Sequence, residues 1–219
     1  MIKYCIFDLD GTLLNTLNSI KYYLNNTLRD NGIGEITLEE CRQFIGDGAK
    51  MLCMRALNSR GVYDGEILSR VLSQYNDAYH KNPYYLTAPY PDITDTLDKL
   101  SSRGITLAVL SNKPDRTAKA VCEKFFAGRF HFVMGGIDGV PLKPAPDSCI
   151  SLMQKMGANP SEVAFIGDTG VDIETGVRAG CGKKIGVSWG FRDREELVAM
   201  GADTVLDTAH DLLNFIGEE

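Results

Sequence analysis

Four acidic residues follow apolar, strand-like segments of this 219-residue chain. Asp8 and Asp10 stand at the end of the opening segment, in "YCIFDLDGT". Asp168 and Asp172 follow the segment "VAFIG". Because the carboxyl ends of parallel strands meet at one edge of a sheet, we expect the four carboxylates to lie close together there. Two carboxylates roughly 4 Å apart repel by about 4 kcal/mol at an effective dielectric constant near 20, so the group requires a cation. All-oxygen ligands favour Mg²⁺.

Further polar residues should reach the same edge and bind a phosphoryl group. Ser111 follows the apolar segment in "AVLSNK", and Lys143 stands in "LKPAPD". A hydroxyl, an ammonium group and backbone N–H groups are the donors that phosphoryl oxygens require. The N–H groups would come from the turn at Gly11 and Thr12, where glycine permits a sharp turn with no side chain blocking the phosphate.

The spacing of Asp8 and Asp10 predicts two different tasks for two carboxylates. Asp8, at the strand end, can attack phosphorus as a nucleophile. Asp10, two residues further on, can protonate the leaving oxygen and later take a proton from the attacking water. The pattern therefore predicts phosphoryl transfer through an aspartyl-phosphate.

The elements that must position these residues alternate between strand-like and helix-like patterns from about residue 86 onward. This alternation predicts an α/β fold with a Rossmann-like, doubly wound parallel sheet, to which the first strand also belongs. Residues 15–85 instead carry four amphipathic helix patterns, one of them opened by the capping box "TLEE". We therefore predict a core domain of residues 1–14 and 86–219 with an all-helical insert at 15–85.

Composition excludes several other classes of protein. The net charge of −6 disfavours binding to nucleic acid, and no apolar run approaches the length of a membrane helix. The six cysteines form no CxxC pair, and no secretory signal is apparent, so we expect a reduced, cytoplasmic protein. Its partner would be a small phosphorylated metabolite, with the chain a monomer or homodimer.

Zinc and dinucleotide chemistry find no support in the sequence. His80, His131 and His210 lie far apart and do not join cysteines at the spacing of a zinc site. The segment "GDGAK" lacks the spacing of a phosphate-binding P-loop, and no strand-associated GxGxxG occurs.

Four motifs resemble, in order, those of the haloacid dehalogenase-like superfamily in its phosphatase branch: "DLDGTLLNT", "LSN", "LKPAPD" and "GDTGVD". The helical insert directly after the first motif is similar to the α-helical cap of that superfamily. Two further segments, "FIGDGAKMLCMRAL" and "GVSWGFRDREEL", resemble the phosphoglycolate phosphatase-like group. The resemblance covers nearly the whole chain. It implies a Mg²⁺-dependent phosphatase acting on a small phosphomonoester such as phosphoglycolate.

The resemblance also implies a role for each matching acid. Asp8 would be the nucleophile and a ligand of Mg²⁺. Asp10 would be the general acid and base and would give its backbone carbonyl to the metal. Asp168 would bind the metal directly, and Asp172 would orient Asp168 or a metal-bound water.

For the substrate, the resemblance implies that Ser111 and Lys143 hold the phosphoryl oxygens, with Asn112 contributing from the same loop. Specificity would come from the cap, where Gly46 and Lys50 lie on a loop facing the active site. Lys50 is the candidate to meet a second anionic group of the substrate, such as a carboxylate.

Three alternatives remain open at this stage. A sugar-phosphate phosphomutase would share the core chemistry but return the phosphoryl group to its substrate. A pyrophosphatase or nucleotidase would differ only in its substrate. A non-catalytic binding protein on the same scaffold is disfavoured because both carboxylates, the lysine and the metal acids are all present.

Overall fold

The computed structural model describes residues 1–217, and its centre is a parallel sheet of six strands. The strands of the chain are β1 (Tyr4–Phe7), β2 (Leu14–Asn15), β3 (Ala88–Pro89), β4 (Thr106–Pro114), β5 (Phe132–Gly136), β6 (Val163–Gly167), β7 (Lys183–Val187) and β8 (Thr204–Leu206). The sheet has the order β5-β4-β1-β6-β7-β8, and every pair in it is parallel. The predicted doubly wound parallel sheet is confirmed.

Helices follow the strands or form a group of their own. They are α1 (Leu17–Asp30), α2 (Leu38–Phe44), α3 (Ala49–Asn58), α4 (Gly65–Lys81), α5 (Ile93–Ser102), α6 (Asp115–Phe126), α7 (Asp147–Met156), α8 (Gly170–Arg178), α9 (Arg194–Ala199) and α10 (Asp211–Gly217). Among the described residues, no helix combines the length and the apolar character needed to cross a bilayer.

Strand β1 has the alternating side-chain pattern that buries both faces of the sheet. Cys5 and Phe7 belong to an apolar cluster with residues of α5, α6 and α10. Ile6 points to the other side and belongs to a second cluster with residues of α7. Successive side chains of a strand face opposite sides of the sheet, so an apolar strand with both faces covered is expected between two helical layers.

Helices α1–α4 bury a separate apolar cluster away from the two sheet faces. It includes Leu24 and Leu28 of α1, Cys53 of α3 and Val71 of α4. The predicted capping box at the start of α2 is present: the Glu40 N–H donates to the Thr37 hydroxyl, and the Thr37 N–H donates to the Glu40 carboxylate. The cluster extends over the carboxyl edge of the sheet and supplies one wall of a cavity there.

Two features differ from the sequence pattern. Strand β4 continues through Ser111 to Pro114, although its apolar run stops at Leu110 and its pairing with β5 is irregular beyond that point. The short strands β2 and β3 pair antiparallel where the chain leaves for the helical segment and returns from it. Strands of two residues are too short to produce a recognisable period, which is why the sequence did not reveal them.

Candidate active site

The carboxyl ends of three neighbouring strands bring the predicted residues together. Asp8 directly follows β1, Asp168 directly follows β6, and Ser111 lies near the end of β4. Because β1 lies between β4 and β6, these three residues lie at adjacent positions along one edge. The Asp8 N–H still donates to the Ile166 carbonyl of β6, at 2.9 Å, so the nucleophile candidate stands at the last paired position of the strand.

Three buried carboxylates form a compact cluster at this edge. Asp8, Asp168 and Asp172 each offer an oxygen, and these oxygens all lie within 4.8 Å of one another. Burial raises the pKa of Asp8 to about 7; the Lys143 ammonium opposes this rise and the Asp172 carboxylate adds to it. Burial, and then repulsion from Asp172 and Asp8, raises the pKa of Asp168 well above its ordinary value. These carboxylates repel one another when they are all ionised, and a divalent cation would relieve the repulsion. Their oxygen atoms are the hard ligands that Mg²⁺ prefers.

Lys143 compensates part of this negative charge. Its ammonium donates to Asp8 at 2.7 Å and to Asp172 at 2.6 Å, and the side chain is buried. Burial disfavours the charged form, but Asp172 and Asp8 together raise the pKa of Lys143 above its usual range. The group therefore carries a positive charge directly beside the candidate nucleophile.

Asp172 is oriented by the start of helix α8. Its Oδ2 accepts hydrogen bonds from the Thr169 N–H at 3.0 Å and the Thr169 hydroxyl at 2.7 Å, which together form the capping box of the helix. A side chain at Gly167 would meet the Asp172 Cβ at 2.2 Å, so the strand end must be glycine for this carboxylate to fit. The motif "GDTGVD" thus encodes both the acid and the space it occupies.

Asp168 is held by residues from two distant loops. The Thr12 hydroxyl donates to its Oδ1 at 2.9 Å, and the Phe191 N–H donates to its Oδ2 at 2.8 Å. Gly11 has a φ of +93°, and a Cβ there would lie 2.1 Å from Asp168 Oδ2; a Cβ at Gly190 would lie 2.2 Å from Asp168 Cβ. The predicted contacts of Gly11 and Thr12 with phosphate stay predictions. For Thr12 such a contact would have to use its backbone N–H, because the hydroxyl is bonded to Asp168.

Asn112 joins three segments of the site. Its amide nitrogen donates to the carbonyl oxygens of Gly46 and Lys143, each at 3.0 Å, and its Oδ1 accepts from the Lys143 N–H at 2.8 Å. Both amide hydrogens are thereby used in holding the backbone around Lys143 and Gly46. The role expected for Asn112 at the phosphoryl oxygens stays a prediction, and the structure gives it a positioning contact in addition.

Lys113 is a site residue that the sequence reasoning missed. Its ammonium lies 3.0 Å from both carboxylate oxygens of Asp10 and 2.9 Å from the Tyr79 hydroxyl of α4. The sequence held one signal for it, since residues 111 and 113 of a strand face the same side, but β4 was not expected to continue past Leu110. The Asp10 carboxylate is therefore paired with Lys113 and is not a member of the cluster of three acids.

The loop after β7 connects the acid cluster to the helical segment. Phe191, whose N–H binds Asp168, places its side chain in the apolar cluster of α1–α4. The Arg192 guanidinium donates to the carbonyls of Arg42 at 2.6 Å and Ile45 at 2.8 Å, at the end of α2. This loop therefore fixes α2 relative to the sheet edge.

A cavity of about 910 Å³ opens between helices α1, α3 and α4 and the sheet edge. Most of the predicted site residues line it: Asp8, Asp10, Gly46, Lys50, Ser111, Asn112, Lys143 and Asp172. Ile20, Leu52 and Leu72 supply apolar surface from the helices, and the Lys50 side chain is exposed at the start of α3. Gly11, Thr12 and Asp168 are buried and are not among the residues that line it. The cavity has the dimensions of a small-molecule site.

Comparison with known proteins shows which family has this fold. Residues 5–185 match the family described as haloacid dehalogenase-like hydrolase. The chain belongs to that family. Within the family it is 31% identical to the phosphoglycolate phosphatase of Aliivibrio fischeri, over 97% of this chain and 95% of the relative. It is also 31% identical to the phosphoglycolate phosphatase of Aquifex aeolicus, over 87% of this chain and 86% of the relative.

A solved structure agrees with these relatives. The crystal structure of a protein from Lactobacillus delbrueckii subsp. bulgaricus superposes with a TM-score of 0.93 at 31% identity, covering 99% of both chains. The predicted family resemblance and the predicted enzyme class are confirmed: this haloacid dehalogenase-like hydrolase is a phosphatase that cleaves phosphoric monoesters.

Proposed function

We propose that this phosphatase works through an aspartyl-phosphate formed on Asp8. The observation that carries the proposal is that Asp8 lines the cavity, belongs to the acid cluster and accepts a hydrogen bond from the Lys143 ammonium on its Oδ1. Its other oxygen, Oδ2, would attack phosphorus while the bond from phosphorus to the leaving oxygen breaks. Lys143 and the Ser111 hydroxyl would hold the phosphoryl oxygens during this transfer.

Asp10 would serve both half-reactions from the same cavity. In the first, its protonated carboxyl group gives a proton to the leaving alkoxide, which departs as an alcohol. In the second, the Asp10 carboxylate takes a proton from a water molecule that attacks phosphorus, and the bond from phosphorus to Asp8 breaks. The products are inorganic phosphate and the free Asp8 carboxylate, with Asp10 protonated for the next turnover.

A Mg²⁺ ion fits the donors at this edge. Asp8 and Asp168 would hold it, with the Asp10 backbone carbonyl as a third protein ligand and Asp172 orienting Asp168 or a water. Bound there, Mg²⁺ would supply positive charge that offsets the crowding of carboxylates and the charge of the phosphoryl group. Burial and mutual repulsion raise the pKa values of Asp8 and Asp168, and a bound cation would lower both by stabilising the carboxylates.

The substrate proposed is a small phosphomonoester, with phosphoglycolate first because the relatives carry that activity in their names. Lys50 would bind its carboxylate, and Gly46 would shape the loop beside it. Residues 15–85 would form the cap over the core made of 1–14 and 86–219. We expect the protein in the cytoplasm, since all six cysteines are free and buried.

The test is phosphate release from a panel of phosphomonoesters by purified protein with Mg²⁺ or with EDTA. Activity on phosphoglycolate that EDTA abolishes and that Asp8→Asn lacks is expected; Asp98→Asn, a surface change at a pair with Arg129, should retain it. Equal turnover with EDTA and with Mg²⁺ would refute the requirement for a metal ion. Full activity of Asp8→Asn would refute the formation of an aspartyl-phosphate on Asp8. Isomerisation of a hexose phosphate without phosphate release would replace this function with that of a phosphomutase. Preferential cleavage of pyrophosphate or a nucleotide would show that the protein is a pyrophosphatase or nucleotidase. Binding of these compounds without turnover would show that it is a non-catalytic binding protein.

Lys50 can be tested separately. Lys50→Met should raise KM for phosphoglycolate by roughly 10- to 100-fold, because a charged hydrogen bond to the carboxylate is lost. The KM for 2-hydroxyethyl phosphate, which has the same length and no carboxylate, should change by less than about 2-fold on the same reasoning. Lys99→Met, at an exposed pair with Asp95, is the matched control. Equal changes for both substrates would show that Lys50 does not read the carboxylate.

A further inference from the structure

We infer that Lys113 is a positioning residue that fixes the carboxylate of Asp10 for proton transfer and joins it to helix α4 through Tyr79. The inference rests on the role proposed for Asp10 above. It assigns a task to a buried lysine that takes no part in holding the acid cluster or the phosphoryl group as proposed.

The Lys113 ammonium has three polar contacts. It donates to both carboxylate oxygens of Asp10, each at 3.0 Å, and to the Tyr79 hydroxyl at 2.9 Å. The Lys113 side chain is 4% exposed and that of Asp10 is 15% exposed. An ammonium group buried to this extent is costly unless it stays paired, so the Asp10 carboxylate is held in one orientation.

The two lysines of the site divide the two acids of the first motif between them. Lys143 binds Asp8 and Asp172, whereas Lys113 binds Asp10. Both lysines and both aspartates line the same cavity. Asp8 and Asp10 are thereby held by opposite charges on different strands and loops, and Asp10 keeps a face toward the cavity from which it can reach a leaving oxygen.

Tyr79 makes this arrangement depend on the helical segment. The Lys113 ammonium lies 4.3 Å from the centre of the Tyr79 ring, in addition to its bond with the hydroxyl. Tyr79 packs against Tyr23 and Tyr75, with ring centres 5.2 Å and 5.7 Å apart, within the cluster of α1–α4. The third partner of Lys113 is therefore present only when α4 lies over the sheet edge as it does in this structure.

The experiment measures how strongly the rate depends on the leaving group. Proton donation assists the departure of a basic alkoxide far more than that of an acidic phenol. If Asp10 is no longer positioned correctly, the rate of hydrolysis should therefore fall mainly for alkyl phosphates. Lys113→Met should lower kcat/KM for phosphoglycolate or another alkyl phosphomonoester by about 100-fold and for p-nitrophenyl phosphate by less than about 5-fold. Along a series of substituted phenyl phosphates, the fall of log kcat/KM with leaving-group basicity should be steeper in the variant.

Tyr79→Phe is the second variant, because it keeps Lys113 and removes only the hydroxyl. It should show the same selective loss at roughly 3- to 10-fold, and its result decides the matter if Lys113→Met does not fold. Lys99→Met is the matched control and should leave both rates unchanged. Equal losses on both kinds of substrate, or no loss in either variant, would overturn the inference.

Asp10→Asn separates this outcome from failure of the proposed function. If Asp10→Asn abolishes hydrolysis of the alkyl phosphate while Lys113→Met lowers both substrates by one common factor, only the positioning role of Lys113 is refuted. If Asp10→Asn retains hydrolysis of the alkyl phosphate, the acid–base role of Asp10 fails and the inference about Lys113 fails with it.

Discussion

Replacing Asp8 by asparagine tests the crowding of acids through stability as well as through activity. An acid whose pKa is raised by folding binds a proton in the folded state that the unfolded chain has already released. Its contribution to stability is therefore lost as the pH rises between the ordinary and the raised pKa. For Asp8 that window runs from 3.8 to about 7.

The size of the effect follows from the same shift. Between pH 5 and the raised pKa of about 7, the wild-type protein without metal should lose about 3 kcal/mol of unfolding free energy through Asp8, at about 1.4 kcal/mol for each pH unit. Asp8→Asn removes this titration. Its unfolding free energy should therefore fall by about 3 kcal/mol less than that of the wild type between pH 5 and pH 8. Lys143 does not change the comparison, because the acids raise its pKa and it stays charged throughout.

The assay is urea unfolding in EDTA at pH 5 and pH 8, with Asp98→Asn as a control for replacing an exposed acid. Adding Mg²⁺ at pH 8 should stabilise the wild type more than Asp8→Asn, since binding to the folded state adds to its stability. The same Asp8→Asn sample should show no turnover. An equal loss of stability in wild type and Asp8→Asn between the two pH values would refute the reasoning, because the buried carboxylate would then be fully compensated by Lys143.

Three further predictions concern residues around the site and in the helices. Gly11→Ala should lower activity by at least about 100-fold and the free energy of unfolding by more than about 2 kcal/mol, since its methyl group would lie 2.1 Å from Asp168 Oδ2. The control is Gly32→Ala, which also has a positive φ but has no neighbour within 4 Å. It should lower the free energy of unfolding by about 1 kcal/mol and leave kcat unchanged. Glu40→Gln should lower the free energy of unfolding, measured in urea at pH 7, by about 1 kcal/mol, because the hydrogen bond from Arg60 lowers the pKa of Glu40 to about 2. The difference in unfolding free energy between variant and wild type should vanish as the pH falls from 4.5 toward 2. Arg192→Met should speed amide hydrogen exchange in α2 by about 10-fold, as the carbonyls at the end of that helix lose their donor, and an unchanged rate would show that the contact does not hold the helix.

The sheet and its acids were predictable because they depend on local patterns and one general rule. The apolar run before Asp8 and the run before Asp168 each have the length and composition of a buried strand, and each ends in acids with a glycine close by. Parallel strands then bring their carboxyl ends to one edge, whatever their separation along the chain. The prediction needed no knowledge of side-chain contacts, and the cluster of Asp8, Asp168 and Asp172 follows from it.

The supporting contacts were not predictable, because they join residues that no sequence period relates. Nothing in the first motif indicates that the Thr12 hydroxyl binds Asp168, 156 positions away. Lys113 was missed for a different reason: β4 ends in "SNKP", and three polar residues followed by proline have the pattern of a loop. Asn112, on the same stretch, uses its side chain to hold the backbone of Lys143.

The two aspartates of the first motif can stand two residues apart because the structure gives each a separate opposite charge. Asp8 faces Lys143 and the other two acids, where burial and crowding raise its pKa and where a divalent cation would relieve the repulsion. Asp10 lies outside that cluster and faces Lys113, which also contacts the helical segment. One carboxylate is thus kept for bonding to phosphorus and the other for moving a proton, and the surroundings of each, more than the motif they share, determine which task it can perform.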